Sequence, residues 1–193
     1  EYLKQVLQVG SSPIREALTR LAGTGLVDFR DQTGFTVATI SKSDVYDVFK
    51  TYAKIECLLL KESMQNGDDV WEGNVMGALY KLSKVEAKGA ISLYTEWAIR
   101  NDEFHDALTA ACGLNGLNRI RYECLQLKTW YTKLAYKNLH DEFIITNHNE
   151  HAKIAELVLA RNIDLACNKL YNHIVYDIDS IINKLEKNKY IKS

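Results

Sequence analysis

The chain has 193 residues and a single proline, Pro13. Proline removes a backbone donor and clashes with the preceding helical turn, so a chain nearly free of it is open to long unbroken helices. A sandwich of many short strands is disfavoured. From Ser43 onward the apolar residues recur at i, i+3, i+4 and i+7, predicting helices over 43–65, 70–87, 90–111, 117–139, 146–160 and 163–189. The breaks are short: Asn66-Gly67-Asp68, Lys88-Gly89, Gly113 to Gly116, the stretch from His140 to Phe143, and Arg161-Asn162. Short connections between long amphipathic helices predict an antiparallel bundle of about six helices, and a mainly α fold class.

Residues 1–40 have a different pattern. Tyr2 to Val9 has helical spacing, Gly10-Ser11-Ser12-Pro13 interrupts it, and Ile14, Ala17, Leu18 and Leu21 restart an apolar stripe. Ser12 is the expected N-cap, Pro13 the expected first helical residue, and Gly23 or Gly25 the expected stop. Leu26 to Arg30 and Phe35 to Thr39 flank Asp31-Gln32-Thr33-Gly34, a small β-hairpin. Helix, turn, helix and a two-stranded wing suit DNA reading, because the second helix can enter a major groove while the wing tip reaches the neighbouring backbone. The residues placed to do this are Ser11 and Ser12 at the helix start, Arg15 and Arg20 along it, and Thr33 and Gly34 at the wing tip. A helical hairpin used only for packing is the alternative. The expected division is a winged helix-turn-helix over 1–41, lacking its first helix because the chain starts within the motif, and a helical sensor over 42–193.

Composition narrows the partners. Lysine and arginine number 24 against 25 aspartates and glutamates, a net charge of -1, and residues 1–40 are themselves balanced at four of each. That is a weak electrostatic footprint for a DNA-binding head. No apolar run reaches the eighteen or so residues of a membrane helix, so no membrane partner is expected. The four cysteines, Cys57, Cys112, Cys124 and Cys167, form no CxxC pair, which predicts reduced thiols in a cytoplasmic protein. HExxH, GxSxG, the P-loop and the Rossmann fingerprint are all absent, so no enzyme is expected.

The histidines are more telling. Asn101 and His105 are four apart in a helical stretch and share a face. His151 and His173 lie 22 apart around the Arg161-Asn162 break. Each therefore stands about eleven residues, roughly 16 Å, from the turn, which brings them level on adjacent antiparallel helices. A third helix bearing Asn101 and His105 completes a site of three nitrogens and one oxygen suited to a divalent metal. Hydrogen-bonded core histidines are the alternative. His140 is expected to face solvent, and His148, one turn before His151, either to face solvent or to support the site. Tyr122, Trp130 and Tyr131 are either core or the lining of an aromatic pocket.

The run from Val9 to Leu21 (VGSSPIREALTRL), then Gly25-Leu26-Val27 and Thr33-Gly34-Phe35-Thr36-Val37, resembles the winged helix of GntR-type bacterial transcription regulators. The branch it most resembles is the FadR/VanR-like one, with an all-helical FCD sensor domain. Gly10 and Ser11 stand where that family usually has serine and arginine. The resemblance implies a ligand-responsive regulator that binds double-stranded operator DNA as a homodimer, its affinity modulated by a small-molecule effector, a carboxylate by family precedent. It also implies a metal at Asn101, His105, His151 and His173, zinc ahead of nickel or manganese, with asparagine where aspartate is commoner. An effector-facing arginine four residues before Glu56 is replaced by Tyr52, so Tyr52 and Glu56 mark the expected effector pocket without its cation. A metal-dependent hydrolase-like bundle and a metal-free interaction bundle are the competing functions.

Overall fold

The structure is a computed structural model and describes residues 2–88, 94–136 and 141–191. Helices α1 (Tyr2–Leu7) and α2 (Ser11–Gly23) are followed by strands β1 (Val27–Arg30) and β2 (Gly34–Val37). The N-cap of α2 is Gly10 in an extended conformation, and Ser11-Ser12-Pro13 form its first turn, two residues earlier than the Ser12 cap expected from the sequence. Proline is tolerated there because first-turn N–H groups have no helical carbonyl to meet. The far end closes as expected: Thr24 and Leu26 N–H both reach the Leu21 carbonyl at 3.2 Å, with Gly25 at φ +76°. The strands pair antiparallel, Val27 opposite Val37 and Phe29 opposite Phe35, whose rings lie 4.9 Å apart. This is a winged helix-turn-helix with a short wing.

The bundle begins at a reciprocal cap. The Ser41 hydroxyl accepts from the Asp44 N–H at 3.1 Å, and the Asp44 carboxylate accepts from the Ser41 N–H at 2.9 Å, starting α3 (Lys42–Asn66). It continues through α4 (Asp69–Glu86), α5 (Tyr94–Thr109), α6 (Asn115–Ala135), α7 (Asp141–Leu159), α8 (Ile163–Val175) and α9 (Ile178–Lys187). None of the described helices is long and apolar enough to cross a membrane. Helix α3 is the spine: Tyr52, Ala53, Leu60 and Met64 are buried against Val75 and Leu82 of α4, Phe104 and Leu108 of α5, Ile154 and Val158 of α7, and Leu170 of α8.

The single helix expected over 163–189 is two helices, separated by a turn at Tyr176-Asp177. No glycine or proline marks the turn, and the apolar stripe Leu170, Ile174, Ile178, Ile181, Ile182, Leu185 runs straight through it. What separates the halves is the core each enters. Leu170 and Ile174 join the α3–α5–α7 core, whereas Ile178, Ile181, Ile182 and Leu185 pack on Phe49, Tyr131 and Ala135. The Asp177 carboxylate accepts a hydrogen bond from the Tyr136 hydroxyl of α6, which fixes the bend. Ile40, at the end of the wing, is buried in the same second core and bridges to Ile191.

The opposite end is tied by Arg161, in the left-handed region at φ +53° in the α7–α8 turn. Its guanidinium donates to the Gly67 carbonyl at 2.8 Å, to the Met64 carbonyl and to Glu72, and lies 5.1 Å from the Trp71 ring centre. Gly67 leaves room for this arrangement, since a Cβ there would run into the Trp71 ring and stand 2.7 Å from the Ser63 carbonyl. Gly67→Ala is expected to destabilise the protein by about 1–3 kcal/mol, the usual range for overpacking, as measured by denaturant unfolding.

Candidate metal centre

Three helices deliver the imidazoles: His105 from α5, His151 from α7 and His173 from α8. One nitrogen of each lies within 4.8 Å of the other two. Nitrogens this close on three helices can converge on one ion, for which zinc–imidazole bonds of about 2 Å are typical. His151 and His173, level across their hairpin as the count to the turn predicts, have ring centres 4.7 Å apart. His105 stacks on His173 at 5.6 Å and 20°. His151 is fully buried, His105 nearly so, and His173 half-buried.

Protonation is set by two carboxylates behind the rings. Glu86 of α4, itself buried, faces His151 Nδ1 at 3.0 Å, His148 Nδ1 at 2.7 Å and Trp97 Nε1 at 3.3 Å. Burial alone would raise its pKa, but these hydrogen bonds outweigh burial and hold it below the ordinary carboxylate value. An ionised Glu86 only accepts, so His151 Nδ1 carries the proton and Nε2 presents a lone pair. That Nε2 is buried and has no hydrogen-bond partner among the described residues. A buried acceptor without a donor costs free energy, and a metal ion would satisfy it. The second carboxylate, Glu56 of α3, stands 3.7 Å from His105 Nδ1 and accepts from Arg121 Nε at 2.5 Å, while Arg121 also donates to Asp106 at 2.6 Å. Burial again pushes Glu56 upward, and the neighbouring His105 and Arg121 bring it below its usual value. Imidazole nitrogens with carboxylates behind them form a donor set that suits zinc, nickel or another late divalent ion.

His105 and His173 open onto a cavity of about 660 Å³, lined also by Asn101, Trp97, Lys128 and Tyr136 among others. Asn101 is thus on the same wall as two of the imidazoles, one turn before His105. Tyr52 and Glu56, the expected effector-facing pair, are fully buried and stand behind that wall instead of on it. Lys128 of α6 sits where the sequence left the pocket without a cation, 5.4 Å from the Tyr52 ring centre. No carboxylate is within ion-pair distance of it among the described residues. Sequence reasoning missed it, although its seven-residue spacing from Arg121 places both on one face of α6. Of the two expectations for His148, exposure or support of the site, both are met in part: its ring is 43% exposed and faces Glu86 at 2.7 Å. His140 lies outside the described residues. Tyr131 is core, Trp130 packs against that core, and Tyr122 is exposed, so none of the three lines the cavity.

In the head, Ser11, Ser12, Arg15, Arg20 and Thr33 are all exposed, and Gly34 takes φ +81° beside the wing tip. Ser11, Arg15, Arg30 and Gly34 share one groove between α2 and the wing. Arg20 is engaged by Glu16 on its own helix at 2.6 Å, both side chains being largely exposed.

Residues 47–176 match the model of the FCD domain. The chain is 31% identical over 176 residues to the HTH-type transcriptional repressor GlaR of Escherichia coli (strain K12), covering 90% of this chain and 80% of that protein. The chain belongs to the GntR-type transcription regulators with an FCD domain. Solved structures share the fold: E. coli McbR/YncC superposes with a TM-score of 0.75 at 17% identity, over 94% of this chain and 84% of that one. A transcriptional regulator GntR from Rhodococcus sp. RHA1 gives 0.72 at 18% identity, with coverage of 94% and 84%. The FCD regulator is therefore a ligand-responsive DNA-binding protein built as a winged head on a helical sensor.

Burial holds His151 below the ordinary imidazole value, and burial together with the positive charge of its neighbours holds His173 well below it. On acidification the unfolded chain therefore takes up protons before the folded one, and stability falls as pH drops through about 6.5, by on the order of 1 kcal/mol per pH unit for each group. The depressed Glu56 and Glu86 extend the loss further down, into the carboxylate range. Thermal unfolding of metal-free protein from pH 8 to 5 is expected to show a falling Tm; a flat or rising profile would contradict this assignment.

Proposed function

We propose that this regulator binds operator DNA as a homodimer in the bacterial cytoplasm, and that a divalent metal held by His105, His151 and His173, with Asn101 supplying an oxygen, organises its effector site. The single observation that carries the metal is the buried, unpartnered Nε2 of His151, whose Nδ1 is committed to Glu86. A metal supplies Lewis acidity and vacant positions for an oxygen ligand. The chain's own residues do the rest: Glu86 sets the tautomer of His151, Glu56 positions His105, and the cavity walls exclude bulk water from a bound effector. Zinc is the ion that best suits three imidazoles and one oxygen, with nickel and manganese next.

A small carboxylate is the effector class we favour. Tyr52 removes one cation from the expected pocket, and Lys128 supplies another, facing the same cavity as His105 and His173. The second core offers a mechanical link. Phe49, Tyr136 and Ile181 line the cavity, and they share that core with Ile40 at the root of the wing. An effector that prefers one packing of this core would shift the placement of the DNA-reading heads, a coupling of binding free energies between two sites. The head itself reads DNA with the start of α2, where Ser11, Ser12 and Arg15 meet the backbone or base edges, and with Thr33 and Gly34 at the wing tip; Arg20 first has to leave Glu16. A two-fold related operator follows from the dimer. A non-enzymatic role is part of this reading, since no general base of the HExxH kind accompanies the histidines.

Three outcomes are expected. Elemental analysis should find one divalent ion per chain in the full-length protein, lost in His151→Ala, and a metal-free wild type would overturn the sensor as described. Arg15→Ala should weaken operator binding about tenfold or more in a mobility-shift assay without changing metal content, whereas Lys128→Gln should leave DNA binding alone and abolish the thermal stabilisation of the zinc-loaded protein by small carboxylates.

A further inference from the structure

The metal centre uses none of the four cysteines, yet two of them meet. Cys57 on α3 and Cys167 on α8 are 110 residues apart in sequence, and each thiol donates to the backbone carbonyl of the other, Cys57 Sγ to Cys167 O at 3.2 Å and Cys167 Sγ to Cys57 O at 3.4 Å. Such reciprocal contacts put the two residues directly opposite each other at a helix crossing. Small residues make the approach possible, since Ala53, one turn before Cys57, and Ala166, beside Cys167, are both fully buried. Both thiols are free and half-buried, so a small reagent can reach them. Cys112 is buried in a separate cluster with Ile55 and Leu59, and Cys124 packs against both that cluster and the main core.

We propose that Cys57 and Cys167 form a reversible oxidation site, in which a hydroperoxide converts the facing thiols into a disulfide that cross-links α3 to α8. The two partners are not equivalent. The pairing with Cys57 holds the Cys167 thiol below its ordinary value, with a further contribution from the nearby Lys61 and against the effects of burial and Asp164, while the same pairing and burial raise Cys57. Cys167 is therefore the thiolate that reacts first. Its sulfur attacks the peroxide, forming an S–O bond as the O–O bond breaks, and the leaving alkoxide takes a proton to become an alcohol. The Cys57 sulfur then attacks the sulfenic acid; the S–S bond forms, the S–O bond breaks, and hydroxide leaves with the Cys57 proton as water. Two electrons pass from the sulfurs to the peroxide, and a dithiol reductant reverses the change. The cross-link sits next to Glu56 and six residues before His173, so it ties together two helices that flank the histidine cluster.

The test takes the purified full chain, exposes it to a few equivalents of hydrogen peroxide, alkylates the remaining thiols and maps the peptides without reduction. A Cys57–Cys167 link within one chain, approaching one per molecule and lost on treatment with dithiothreitol, is expected, with Cys112 and Cys124 recovered alkylated. The cross-linked protein should melt about 5 °C or more higher, because a bond across so long a loop restricts the unfolded chain. Cys57→Ser should stop the reaction at a sulfenic acid on Cys167 that dimedone captures, and Cys167→Ser should leave Cys57 unoxidised. Links between chains, links involving Cys124, or oxidation of Cys167 beyond the sulfenic state in the wild type without a disulfide would each overturn the proposal. None of these readouts depends on whether metal is bound.

Discussion

Two buried carboxylates organise the sensor. Glu56 and Glu86 lie on different helices, α3 and α4, and face the histidine cluster from behind. Removing a carboxylate from water is costly unless charge or hydrogen bonds replace the lost hydration. Glu86 is held by three donors, His151, His148 and Trp97, and Glu56 by Arg121, with His105 Nδ1 3.7 Å from its other oxygen. Satisfying Glu86 fixes the orientation of the His151 ring, and that orientation leaves its Nε2 lone pair buried and unanswered. The metal reading of the site follows from this chain of requirements more than from the number of histidines.

The same economy links sensor and head. One core gathers α3, α4, α5, α7 and α8 around the histidines. A second gathers α6, α9, the start of α3 and Ile40 of the wing. The cavity lies where the two meet, bounded by His105 and His173 on one side and by Phe49, Tyr136 and Ile181 on the other. A ligand there touches both packings at once. Close-packed cores rearrange between discrete states rather than deforming smoothly, which is what a switch needs.

Much of this was legible in the chain. The pairing of His151 with His173 followed from counting residues to the Arg161-Asn162 turn, and the sharing of a face by Asn101 and His105 followed from helical periodicity. The α2 end was marked by glycine, and the wing by its turn residues. Other features were not legible. The bend at Tyr176-Asp177 lies inside an unbroken apolar stripe, because both halves bury the same face against different partners. Glu86 and Arg121 read as ordinary charged residues of amphipathic helices, since nothing local announces that a charge will be buried opposite a histidine from another helix. Lys128 was invisible as a pocket cation for the same reason.

The sequence by itself determined the winged head, the helical sensor, and the set of imidazoles that share a level in the bundle, because periodicity, caps and loop lengths are local properties. Only the tertiary structure decided which residues stand behind those imidazoles, which lysines face the cavity, and that Cys57 meets Cys167. Those depend on how α3, α4, α6 and α8 cross, and helix crossing is set by the packing of side chains far apart in the chain.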